Sequence, residues 1–530
     1  MTPTSPRLHH LDALRSFAML LGIVLHASLS FMPFPWPVQD SEQNTSFYIL
    51  FAAIHGFRMP LFFLLSGFFT AMLWRKRGTL FLAKHRAKRV LLPLVIGCFT
   101  VIPVTNWSIQ FVAQSRTSEP AAVQTPDLKP LNHEDIIQES DPEILSQLTE
   151  AAIRRNDKDS LLLLIKQGVD LNYIPEIKIT ALHWATGLGQ LEMATILLDN
   201  GADINALDDH KSTALHWAAL FGRPKLARLL IERGIDTTLR NRDGSLALDM
   251  VTPEARPYVA GIAVMFAGLL NIPFNDKDFY AGAEEIFEMA PSPSYSTPFI
   301  FHHLWFLWYL ILLVISFCCI TPILQAATSL KKMRPLVITP FRYLWMIPLV
   351  ALLQTQMSPS SFGADTSAVI MPSFPILGYY ATFFFFGVVY FLSNDSQKLG
   401  RNFWITLPLA FLVILPAALA QFEPGAGDET VMAWLAAAYA CLACFGLIGL
   451  CRKFLSADKK WVRYISDSSY WLYLAHLPLV LLQQDYVRDW DCSPISKLLV
   501  ICASTTVLLL GSYQLFVRHT PIGWLLNGRR

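Results

Sequence analysis

The amino-acid sequence predicts an all-α protein, a bundle of ten transmembrane helices with a water-soluble helical solenoid inserted after the third. Three observations carry that expectation. The 530 residues have a mean hydropathy of +0.40 and only 15% charged residues, against about 25% in an ordinary soluble domain. Ten apolar runs approach the ~20 residues a helix needs to cross a bilayer. One polar stretch repeats itself with a fixed period. The net charge of +2 leaves no bulk electrostatic footprint for nucleic acid. Seven of the eight cysteines lie inside or at the edge of apolar runs, where they pack as small hydrophobes rather than forming a disulfide framework. Cys441 and Cys444 have redox spacing, but their AYACLACFGLIGL helix offers no nearby base.

The expected spans are Leu11–Pro33, Tyr48–Met72, Val90–Val112, Phe299–Thr321, Val337–Leu353, Phe374–Leu392, Phe403–Gln421, Val431–Cys451, Ser468–Leu482 and Leu498–Val517. The first is too long for a signal peptide and has no small-residue cleavage site. The fifth and ninth are short. Seven Lys and Arg lie between Arg75 and Arg89, and further clusters fall at Lys331, Lys332 and Arg334, at Arg452 to Arg463, and at Arg518, Arg529 and Arg530. Ten spans and a cytoplasmic N-terminus place all of these inside, as the positive-inside rule requires. The opposite loop Gln421–Thr430 is acidic, with Glu423, Asp428 and Glu429. Val259–Phe274, interrupted by Asn271 and Pro273, would invert that parity if it crossed, so it is read as buried or interfacial. The expected organisation is membrane domain 1–113, linker 114–143, repeat domain 144–255, extracytoplasmic loop 256–298 and membrane domain 299–530.

Within the insert, Gly168, Gly201 and Gly234 open turns spaced by 33 residues, and TALHWA recurs 33 apart, from Thr180 and from Thr213. A degraded copy, LALDM, starts at Leu246. That period and phrasing mark ankyrin repeats, whose paired short helices bury their apolar faces only by stacking. His183 and His216 are read as ties between adjacent repeat turns rather than as metal ligands. The topology makes this module extracytoplasmic, and no metal site is expected anywhere in the chain.

Polar chemistry appears inside the spans. Arg15 and His26 are 11 positions apart in LDALRSFAMLLGIVLHASLSF, about 20° from one face and roughly 16 Å along the axis. IHGFRMPLFFLLSGFF places His55 and Arg58 in the second span, Arg58 at a depth similar to His26, with Ser66 beyond. Ionisable groups within a span usually face the bundle interior or water. Simpler roles stay open: Asp12 pairing with Arg15 at the interface, His26 as a packed core residue, and His302 and His303 in an aromatic belt with Trp305 and Trp308. SSYWLYLAHLPLV puts His476 mid-membrane in the ninth span.

LDALR…H, FRMPLFFLLSGFF, KHRAKRVLLP, HLWFLWYL and SYWLYLAHLPL, in this order, resemble the membrane-bound acyltransferase-3 family and its glucan-biosynthesis branch. The resemblance covers roughly Leu8–Val112 and Phe299–Val517; the ankyrin insert departs from the family pattern and leaves the acceptor in doubt. The resemblance implies an O-acyltransferase moving an acetyl or succinyl group from acyl-CoA to an extracytoplasmic glycan across the inner membrane. Arg15, His26 and Arg58 are then the expected catalytic residues, with His26 as general base and Arg58 orienting the acceptor or stabilising the oxyanion. The Arg-x-x-Arg pair Arg86 and Arg89 is expected to grip CoA phosphates, although positive-inside anchoring explains most of that basic run. His55, Ser66, His303 and His476 are the expected substrate contacts. No tightly bound cofactor is expected; acyl-CoA is a substrate, and the expected partners are the lipid bilayer, the carbohydrate acceptor and a protein bound by the repeats. Two other readings remain at this stage: a membrane-anchored ankyrin scaffold or receptor without catalysis, and a transporter of the acyl group. The retained Arg15, His26 and Arg58 count against the scaffold, and the lack of internal symmetry counts against the transporter.

Overall fold

A computed structural model describes residues 8–32, 36–40, 42–115, 141–172, 179–242, 244–251, 259, 263, 272, 276–288, 301–326, 337, 339–357, 362–366, 372–393, 399–422 and 428–527. Lys331, Lys332, Arg334, Glu423, Arg529, Arg530, most of the 114–143 linker and all but three residues of Val259–Phe274 lie outside them. The described residues are helical, with no strand among them beyond an isolated bridge between Arg240 and Leu246. The chain divides into two compact units, Met1–Met32 with Gln39–Ser108 and Phe299–Arg530, and Pro33–Val38 with Ile109–Pro298.

The first unit is the apolar bundle. Its helices are α1 (His9–Ser28), α2 (Ser46–Arg77), α3 (Thr79–Arg86), α4 (Leu92–Phe99) and α5 (Val101–Ser115), the last running on into the second unit. Among the described residues six helices are long and apolar enough to cross a membrane: His9–Phe31, Ser46–Arg77, His302–Pro322, Phe374–Leu392, Thr430–Phe454 and Pro494–Val517. A seventh crossing is reached if Thr79–Phe99 and Val101–Ile109, bent by 40° at Thr100, form one span. The other three expected spans are present as helices but fail that test. Phe341–Gln354 and Phe403–Leu419 are short, and Lys460–Val487 is 28 residues long but polar along one face. The basic segment after the second span is also helical rather than a loop, since α2 runs to Arg77 and α3 follows after Gly78. Gly78 has φ +79°, which lets the chain turn between them.

Close packing sets the helix directions. A Cβ at Gly67 would strike the Phe384 carbonyl, and one at Gly387 that of Leu64, so α2 and Phe374–Leu392 cross backbone to backbone. Phe63 stacks on Tyr380 and Phe68 meets Tyr390, so these two helices run parallel. The Phe31–Phe47 contact joins the C-terminal end of the first helix to the start of α2, so α1 and α2 are antiparallel. Large apolar residues such as Leu344, Phe374, Leu412 and Leu515 face outward, as a bundle solvated by lipid requires.

The second unit continues the numbering with α6 (Pro142–Arg154), α7 (Lys158–Lys166), α8 (Ala181–Gly187), α9 (Leu191–Asp199), α10 (Ala214–Leu220), α11 (Pro224–Glu232) and α12 (Asp276–Glu288). Helices of seven to thirteen residues are marginal alone in water; here they share a core around Trp184, Trp217, Leu197 and Leu230. Gly168, Gly201 and Gly234 have φ of 84°, 92° and 82°, the left-handed turns expected at the 33-residue period. Each repeat histidine is a tie. His183 Nδ1 caps Thr180 and its Nε2 donates to the Ser212 carbonyl at 3.0 Å. His216 does the same with Thr213 and Ser245, at 3.1 Å to the carbonyl. Both ring nitrogens of each are therefore in use. Val259, Ala263 and Ile272 are buried in this same core, together with Phe279 and Ile286.

Candidate functional site

The candidate site lies inside the bundle, where α1 and α2 meet two further helices, α13 (Trp305–Ala326) and Lys460–Val487. The latter is α18 once α14 (Phe341–Gln354), α15 (Phe374–Leu392), α16 (Phe403–Leu419, a π-turn at its centre) and α17 (Glu429–Phe454) are counted. α1 and α18 run side by side in the same direction. At one end Arg15 Nη2 donates to the Ser466 hydroxyl at 2.7 Å and carbonyl at 2.9 Å. Further along, His26 meets His476 with ring centroids 5.1 Å apart. Gln484 Nε2 then donates to the His26 and Ala27 carbonyls at 2.9 and 3.2 Å. The helix face predicted to carry Arg15 and His26 is thus turned to one neighbour.

Arg58 joins them from α2. Its guanidinium rests over Gly22, one turn before His26, where a Cβ would collide with Nη1. His303 enters from the turn ahead of α13, its ring 5.1 Å from His476 and 5.6 Å from Tyr473. Tyr473 in turn donates to the His303 carbonyl. His303 and His476 are 9% and 4% exposed, while His26 and Arg58 are half-buried. The structure therefore gathers His26, Arg58, His303 and His476 into one cluster. No metal-binding group of three or more His, Cys, Asp or Glu occurs among the described residues.

Backbone strain marks the entrance of His303. His302 has φ +45°, the left-handed region that side chains avoid, and its Nε2 lies 2.6 Å from Asn106 Oδ1. This turn aims His303 inward instead of leaving it in an interfacial belt. Such strain tends to be retained at functional sites.

The other expected residues are placed differently. Arg15 sits 3.8 Å from Asp12, and Ser466 bonds to both, so the interfacial pairing and the helix contact exist together. His55, one turn from Arg58, stacks on Phe51 and bonds the Ala364 carbonyl at 3.2 Å. Ser66 is half-buried on α2, about 12 Å along the axis from Arg58. Arg86 Nη2 donates to Thr70 at 2.8 Å, and Arg89, in the π-turn Ala87–Leu91, donates to the Leu526 carbonyl at 2.9 Å. Sequence reasoning missed Gly22, Ser466, Tyr473 and Gln484. A signal for the last three was present: spacings of 7 and 11 residues along α18 put them within about 20° of one stripe.

Comparison with known proteins adds to this geometry. Residues 8–128 and 257–515 match a family model described as an acyltransferase domain, of the acyltransferase-3 type. Residues 148–241 match ankyrin repeats in three copies. Glucans biosynthesis protein C of Escherichia coli is 37% identical over 98 residues, 18% of this chain and 24% of that protein. The proteins of the same name from Salmonella typhi and Salmonella typhimurium are 35% identical over 100 residues, 19% of this chain and 25% of theirs. Each match spans about a quarter of the relative's length.

Proposed function

Because the chain belongs to the acyltransferase-3 family, we propose that it is an integral-membrane O-acyltransferase acting on a glycan of the cell envelope. The donor is acyl-CoA, acetyl or succinyl, held on the cytoplasmic side, and the acceptor is a glucan or related polysaccharide outside the inner membrane. The relatives' name, glucans biosynthesis protein C, supports the acceptor class.

The observation that carries the reading is the meeting of Arg58 with three imidazoles inside an apolar bundle. His26 takes the proton of an acceptor hydroxyl as its oxygen attacks the thioester carbonyl. Arg58 lies where the tetrahedral oxyanion develops and stabilises it in a water-poor setting. The carbon–sulfur bond then breaks, and the thiolate leaves with the proton as CoA-SH. Arg86 and Arg89 bind the CoA phosphates. Thr70, which Arg86 grips, is 12 residues past Arg58 on α2, so the pantetheine arm bridges about 18 Å along the axis and passes Arg15. His55 and Ser66 line the acceptor and arm paths.

Helix directions support the ten-span topology. Parallel α1 and α18 need an odd number of crossings between them, and seven fit: α2, the bent pair, and α13 through α17. Ten spans then place the basic clusters inside and the repeats outside, where they hold the acceptor or a protein of the glycan machinery.

The test is mass analysis of envelope glycans from cells with and without the chain, the mass increment naming the group transferred. His26→Ala is expected to abolish the increment at an unchanged protein level. An increment that persists in that variant removes the general-base role.

A further inference from the structure

Two imidazoles of the cluster have their protons placed by the backbone. His476 Nδ1 lies 3.1 Å from the Leu472 carbonyl oxygen and 2.9 Å from that of Tyr473. His303 Nε2 lies 3.1 Å from the Leu474 carbonyl oxygen. A carbonyl oxygen only accepts, so in each neutral ring the hydrogen sits on that nitrogen and the opposite nitrogen presents a lone pair. Those opposite atoms, His476 Nε2 and His303 Nδ1, are buried and meet no hydrogen-bond partner among the described residues. They cannot satisfy each other, since both are acceptors. Arg58 Nε is the complementary orphan, a buried donor without a partner among the described residues. Buried polar atoms are nearly always satisfied, and those that are not call for a ligand or water.

The set of orphans calls for two donors and one acceptor, which either bound water or the hydroxyls of a substrate that displaces it would supply. We propose that His303 Nδ1 and His476 Nε2 receive the hydrogens of two neighbouring hydroxyls on one sugar ring, while Arg58 Nε donates to an oxygen beside them. The ring centroids of the two histidines are 5.1 Å apart, close enough for one sugar ring to reach both. Other ligand classes fit worse. An ammonium also donates, but the guanidinium repels it. A carboxylate or phosphate has no hydrogens to offer the two lone pairs, and a simple alcohol fills only one of them. The site selects an uncharged vicinal diol, and His303 and His476 set that selection. This rests on the transferase reading for the identity of the second substrate.

The experiment uses the full chain in lipid nanodiscs with 15N-labelled histidine, titrated with a β-glucan trisaccharide and its monodeoxy analogues. The imidazole nitrogens of His303 and His476 are expected to shift at saturation. Removing either of two neighbouring hydroxyls should weaken binding about tenfold. In His476→Phe the penalty for one of those hydroxyls should vanish, whereas His476→Gln, whose carbonyl still accepts, should keep part of it. His303→Gln provides the same comparison if the phenylalanine variant does not fold. Unchanged deoxy penalties in the variants, binding without any shift at either histidine, or no saturable binding each overturn the inference. Transfer from acetyl-CoA is measured on the same samples. The expected binding pattern without transfer counts against the transferase reading alone. Transfer whose hydroxyl preference ignores both histidines counts against this inference alone.

Discussion

Gly22 has no side chain, and Arg58 occupies the space. The clash that a methyl group creates there is with the far end of a flexible side chain, whereas Gly67 and Gly387 abut the backbone of their neighbours. Gly22→Ala should therefore leave the bundle folded and push the guanidinium away from His26. The expected result is transfer slowed by about a hundredfold to a thousandfold, the range for losing an oxyanion donor, with a melting temperature close to that of the parent. A full rate in that variant would show that Arg58 works from another position. Arg15, His26, Arg58 and His476 were legible one by one, because a charge or imidazole within an apolar run stands out. Gly22 was not, since a glycine signals a close approach only when the approaching atom is known. Ser466, Tyr473 and Gln484 escaped because hydroxyl and amide groups in a span raise little alarm, although their spacing repeats the 11-residue interval of Arg15 and His26.

Helices and repeats were the most readable elements. The 33-residue period placed the turn glycines and the tie histidines correctly, because each repeat meets the same neighbour contacts. Those ties make the solenoid sensitive to acid. Burial holds the His183 and His216 imidazoles below their usual value, against the opposite pull of Asp208 and of the Ser212 and Ser245 carbonyls. The unfolded chain titrates near 6.5 and so binds more protons in this window. The histidines' contribution is complete above that pH and is lost as pH falls through and below it. Hydrogen exchange on the full chain should show protection in residues 180–232 falling from pH 7.5 to pH 5; equal protection at both would contradict the sign. Inside the bundle the sequence was less informative about individual helices. The bend at Thr100 and the full length of α18 depend on what packs alongside: α18 carries a polar face that hydropathy penalises but that α1 and Tyr473's partners in the α13 turn cover.

At the level of the whole chain, the two units have separate hydrophobic cores, one built on the spans and the other on the repeats with Val259, Ala263, Ile272 and the helix Asp276–Glu288. Deleting Asp141–Pro253 and bridging the ends should therefore reduce acceptor specificity or targeting more than turnover, read as glycan mass increments alongside acyl transfer to a small acceptor. Loss of all transfer from a correctly inserted protein would tie the repeats to the chemistry itself. Composition and period alone determined that this is a helical membrane protein carrying ankyrin repeats, because the cost of placing polar groups in lipid and the stacking of identical units both leave a linear trace. Which intramembrane groups meet was decided only by tertiary packing. His26, Arg58, His303 and His476 lie on four different helices or their turns, and residues so far apart in the chain are brought within reach only by the glycine contacts and parallel alignments that set each helix against the next.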